Sequence, residues 1–193
     1  MKHILPILTL TTLTAAAFAD ASAPAAAAPA GLSYNRVGIS RSGQDNSLSV
    51  STLLGSSNFL ATVETISGSA VGMPLLSSEG KQTGDLVAFS LGYVFKNVVS
   101  GIDATLTVGG GSAAVGSQVG INLRRSLSEV LNGLEVAIGY KEQKTDSGDK
   151  GSAWTYELAY NINKQYSVAY GLTTFGGDVT VSDAHTVSVR YNF

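Results

Sequence analysis

His185-Thr186-Val187-Ser188-Val189-Arg190-Tyr191-Asn192-Phe193 closes the sequence, and its two faces differ in kind. Successive side chains of a strand point to opposite sides. Val187, Val189, Tyr191 and Phe193 therefore share one face, and Thr186, Ser188, Arg190 and Asn192 share the other. Terminal residues are usually frayed and polar. A soluble domain has little reason to end on an apolar column with a final aromatic.

Working back from this strand, the period of two persists to Gly31. Ten segments emerge, bounded by Gly, Asn, Asp and Ser clusters: 33–41, 47–54, 58–66, 86–96, 101–109, 115–125, 134–143, 153–163, 166–175 and 184–193. The fourth sets Val87, Phe89, Leu91, Tyr93 and Phe95 against Ala88, Ser90, Gly92 and Val94. The seventh sets Leu134, Val136, Ile138 and Tyr140 against Glu135, Ala137, Gly139 and Lys141, and the eighth sets Trp154, Tyr156, Leu158, Tyr160 and Ile162 against Thr155, Glu157, Ala159 and Asn161. The first three segments are the least regular. If Arg36 and Glu64 face inward, Leu53 and Leu60 do too; merging these segments would leave eight strands instead of ten.

The links alternate in length. Those near 55–57, 97–100, 126–133 and 164–165 are mostly short, whereas 67–85, 144–152 and 176–183 are longer and rich in Gly, Asp and Ser. The expected fold is all-β: a transmembrane, antiparallel, up-and-down β-barrel of ten strands, with eight as the alternative. A soluble β-sandwich would bury the same apolar faces in a core, but has no need of aromatic bands. Two such bands are expected on the outer wall. Trp154, Tyr156 and Tyr140 lie towards one end of their strands, and Tyr160, Tyr166, Tyr191, Phe193 and Phe95 towards the other. Aromatic rings of this kind favour membrane interfaces, where one side is wet.

The inner face holds Arg36, Arg124, Lys141 and Arg190 against Glu64, Asp103, Glu135 and Glu157. Charges removed from water need partners, so ion pairing across the lumen is expected. At ~4.7 Å strand spacing and ~40° tilt, ten strands give a radius on the order of 10 Å, which side chains largely fill. A wide aqueous channel does not fit that radius.

Composition bounds the rest. Lys2, then the apolar run Ile4 to Phe18, then Ala17-Phe18-Ala19 before Asp20, reads as a signal peptide over 1–19. An Ala/Pro-rich linker over 20–31 and a barrel over 32–193 follow. The chain has 12 Lys and Arg against 14 Asp and Glu; removal of Lys2 leaves 11 against 14, a net charge of −3, with no basic patch for nucleic acid. Zero cysteines exclude a disulfide scaffold.

The C-terminal column Val187, Val189, Tyr191 and Phe193 resembles the last strand of small bacterial outer-membrane β-barrels, the class typified by OmpX, OmpW and the OmpA membrane domain. The resemblance implies a Gram-negative cell outer-membrane location, contact with outer-membrane lipids, and recognition of that strand by the barrel-assembly machinery. It implies no cofactor and no functional residues that transfer. The expected role is non-enzymatic, in envelope structure or surface interaction with a partner the sequence does not identify. A narrow porin-like channel and a rim enzyme acting on lipid or peptide are the alternatives.

For the enzyme, His185 is the one histidine of the expected mature chain, with Asp178 and Asp183 nearby and Ser188 on the opposite face. An interfacial histidine is the plainer account. The run Lys144 to Gly151 lacks the ligand spacing of a calcium loop. Gly109-Gly110-Gly111-Ser112 lacks the lysine and helix of a phosphate loop. The 67–85 loop, with Met73-Pro74-Leu75-Leu76, reads as a cap over the rim or a partner contact.

Overall fold

The computed structural model describes residues 32–42, 45–67, 86–111, 116–144, 148, 150–177 and 183–193. The expected signal peptide and linker lie outside these residues, as do 43–44, the loop from 68 to 85, 112–115, 145–147, 149 and 178–182, which includes Asp178. The strands are β1 (Arg36–Ser42), β2 (Asp45–Leu53), β3 (Phe59–Ser67), β4 (Leu86–Val99), β5 (Ile102–Gly111), β6 (Ser117–Ser126), β7 (Leu134–Lys144), β8 (Lys150–Asn161), β9 (Tyr166–Gly177) and β10 (Ala184–Asn192). Each pairs antiparallel with its neighbour in sequence, and β1 pairs with β10 to close the barrel. Ten strands form, not eight, because β1, β2 and β3 each hold a full ladder of their own. A single closed sheet also excludes the two-sheet sandwich.

Burial is inverted relative to a water-soluble domain. Along β8, Trp154, Tyr156, Leu158 and Tyr160 are 41–50% exposed, whereas Ala153 and Ala159 are 4–5% exposed. Other buried positions include Ser51, Thr105, Arg124, Glu135, Gln143, Asn161, Ser167 and Ser188. The interior is polar and the wall apolar. Serines alternate inward along β2, and Leu60 lines the lumen with Thr62 and Glu64, as the facing of Arg36 and Glu64 requires.

Sequence boundaries move where alternation ends before the ladder does. β8 begins at Lys150, three residues before the expected start, because Lys150 and Gly151 still pair with Lys144 and Gln143. β4 runs on to Val99 through a register shift between Phe95 and Val99. β1 starts only at Arg36, although the Asn35 carbonyl before it still accepts from Phe193 N.

The rim nearest both described chain ends carries tight turns. After β4, the Asn97 side-chain oxygen accepts from Gly101 N at 2.8 Å. After β6, the Leu127 carbonyl accepts from Val130 N and Leu131 N at 2.9 and 3.0 Å, winding one helical turn. That winding fits the long 126–133 link into a turn. The opposite rim carries the longest link, 68–85, between β3 and β4.

Candidate functional site

The lumen brings together residues from most strands, and its floor is built first by residues 32–35. By strand parity Tyr34 falls on the same side as Arg36, an aromatic on a face otherwise made of small or polar residues. It is 6% exposed, and its hydroxyl donates to Asp103 Oδ2 at 2.6 Å. The Arg124 guanidinium stands 5.0 Å from the ring centroid. Arg124 Nη1 also donates to the Ser33 carbonyl at 2.9 Å, and Ser51 Oγ donates to the Tyr34 carbonyl at 2.8 Å. Tyr34 is thus tied to β2, β5 and β6. Burial, followed by the Asp103 hydrogen bond, pushes its hydroxyl well above the usual phenol range, so it remains a donor at neutral pH.

Beside this floor, Arg124 Nη2 contacts Glu135 Oε2 at 2.9 Å, with each side chain 8% exposed. Asn161 Nδ2 donates to the other Glu135 oxygen at 2.7 Å, so the buried carboxylate is satisfied on both sides. A second pair lies closer to the seam. Arg190 meets both Glu157 oxygens, with Nη1 to Oε1 at 2.8 Å and Nη2 to Oε2 as its second arm.

All eight charged residues read as inward from the sequence face the lumen, but they do not form one continuous network. Asp103 is taken by the Tyr34 hydroxyl and by Asn97 N, the latter at 2.7 Å. Arg36, Glu64 and Lys141 form no ion pair among the described residues. Two adjoining cavities of about 270 and 180 Å³ share Ser49, Glu64, Thr155 and Glu157 in their walls.

The outer wall carries ring contacts at both ends. Tyr140 and Trp154 meet at 4.8 Å, and Tyr166 and Tyr191 at 5.4 Å. Phe59, Tyr93 and Phe95 make a further chain with centroids 5.1 and 4.8 Å apart. Tyr156 lies further in from the rim, level with Ile138 and Leu172, and Tyr160 lies opposite Leu134 and Val168. Phe59 was not singled out from the sequence, although it directly follows the Gly55–Asn58 turn. Val187, Val189 and Phe193 are exposed on the outer face of β10.

His185 also faces outward. Its Nδ1 lies 2.5 Å from the Tyr170 hydroxyl, while Ser188 is buried on the other side of the strand. Among the described residues no carboxylate contacts it, and no cluster of three or more His, Cys, Asp or Glu could hold a metal. The site that the fold defines is therefore a narrow, charge-bearing lumen inside an apolar wall.

Comparison with solved structures leads to porin barrels. A KdgM porin aligns with 84% of this chain and 99% of its own, at 18% identity and a TM-score of 0.50. A NanC porin aligns with 82% of this chain and 98% of its own, at 12% identity and a TM-score of 0.49. No family model and no curated protein matches the sequence. The chain shares the fold of the KdgM porin, while the resemblance to OmpX, OmpW and OmpA holds only at the level of a small barrel.

Proposed function

We propose that the protein is a non-enzymatic outer-membrane β-barrel whose lumen is closed at the turn-bearing rim and whose longer links face outward for envelope or surface contacts. The observation that carries this reading is the Tyr34 floor, held by Asp103, Arg124 and Ser51. The apolar wall supports the location. Closure of the barrel pairs the backbone edges of β1 and β10, and lipid accommodates the exposed apolar faces. The outward column Val187, Val189, Tyr191 and Phe193 is the proposed contact for the assembly machinery, with lipid around the aromatic bands.

Planar-bilayer recording of the full-length protein tests the closure. The wild type gives no steady conductance, and Tyr34→Ala produces openings. Steady wild-type openings would overturn the closed-lumen reading. They would favour a narrow channel instead, for which the two adjoining polar cavities are the specific argument.

A further inference from the structure

Three arginines and two glutamates line the lumen cavities, and they are not equivalent. Arg124 is committed to Glu135, and Arg190 to Glu157. Arg36 and Glu64 have neither an ion pair nor a hydrogen bond among the described residues, and both line the 270 Å³ cavity. Register fixes their relation. Arg36 on β1 is level with Ser51 on β2 and Thr62 on β3, and Glu64 sits one row further along β3, level with Ser49 and Gly38. Two strand spacings and one row place their Cα atoms on the order of 12 Å apart. Arg36, which Glu157 and Glu135 attract without forming an ion pair, and the unpaired Glu64 therefore border the same chamber from opposite sides of β2.

We propose that this cavity binds a small zwitterion, with the ligand carboxylate on Arg36 and its ammonium on Glu64. Charges held away from water are stable only when compensated. A planar guanidinium suits a carboxylate through two parallel hydrogen bonds. A simple anion would meet Glu64 and gain nothing from it, and a simple cation would meet Arg36. Hydroxyls of Ser51, Thr62, Thr105 and Thr107, with the Asn122 amide, line the remaining wall for the polar body of the ligand. At roughly 30 Å³ per water, the chamber has room for about nine waters. That suits a free amino acid. The proposal goes beyond the closed-barrel reading, because binding requires no passage through the floor.

Calorimetric titration of the full-length protein in detergent micelles tests it with three probes of similar size: L-serine, glycerate and ethanolamine. Serine is expected to bind at least about tenfold more tightly than either singly charged probe. Arg36→Gln reduces serine to the level of ethanolamine, and Glu64→Gln to the level of glycerate. The double variant R36Q/E64Q, which removes both charges, loses serine binding. Heat-dependent gel mobility verifies that each variant is folded. Absence of saturable serine binding overturns the proposal, as does glycerate or ethanolamine binding as tightly as serine. Serine binding that the folded double variant retains also overturns it. The calorimetric result does not depend on conductance, so it can fail while the closure stands, or stand while the closure fails.

Discussion

Glu135 is the residue on which the largest single energetic effect is expected. Its carboxylate is shared between Arg124 and Asn161 in a nearly dry site. Glu135→Ala would leave Arg124 buried without a counter-charge, and breaking such a pair costs about 3–5 kcal/mol. Urea unfolding of the protein in lipid vesicles should show this loss. Glu157→Ala should cost less, since Arg190 and Glu157 are 12% and 22% exposed and water can reach them. Removing only the Tyr34 hydroxyl, with Tyr34→Phe, leaves an unfilled acceptor on Asp103 and should cost about 1–3 kcal/mol in the same assay. Arg124, Glu135, Glu157 and Arg190 were legible as inward residues because alternation alone assigns a face. Their partners were not. Tyr34 pairs with Asp103 across 69 positions, and no local pattern announces that bond.

At the scale of elements, strand identity was readable wherever apolar and small residues alternate cleanly, as in β4, β7, β8 and β9. Strand ends were less so, because main-chain pairing continues through polar residues such as Lys144 and Lys150. The β6–β7 link looked too long for a turn, since nothing in its composition reveals the helical winding at Leu127. Gly109 and Gly133 are among the glycines with a geometric reason to be glycine. A Cβ on Gly109 would lie 2.2 Å from the Phe89 carbonyl oxygen, so β4 and β5 would have to separate. Gly109→Val is expected to abolish the compact, heat-modifiable species on gels. Gly133 has a φ of +87°, and its Cβ would lie 2.6 Å from the Asn161 carbonyl oxygen. Gly133→Ala should therefore destabilise the barrel by at least about 1–3 kcal/mol in the urea assay. On β10, Phe193→Ser tests the assembly contact. The expected outcome is a smaller share of folded barrel in the outer-membrane fraction at unchanged synthesis.

For the molecule as a whole, the exposed apolar wall sets the conditions under which it can exist. Contiguous apolar surface of this extent drives association in water. Folded protein should be recovered from the membrane fraction only with detergent, and recovery of a soluble monomer from the periplasm would contradict the outer-membrane reading. This property was legible from composition and period, because ten repeats of one simple alternation leave few other architectures. The state of the lumen was not. Whether a barrel of this width is open depends on where a few long side chains lie, and that is decided by contacts between distant strands.

The β1–β10 ladder differs from the others in the length of chain it must gather. Each other ladder joins neighbours through one link, so it can form as a local hairpin. The seam joins Arg36 to Asn192 and uses the shortest strand, of 7 residues. Loop entropy rises by ~0.6 kcal/mol per doubling of length, so going from a hairpin to this span adds roughly four doublings, or about 2.4 kcal/mol. Joining the two ends of the chain therefore costs more loop entropy than closing any single hairpin. The hydrogen bond from Phe193 N to the Asn35 carbonyl, at 3.1 Å, is the clasp at the end of that ladder.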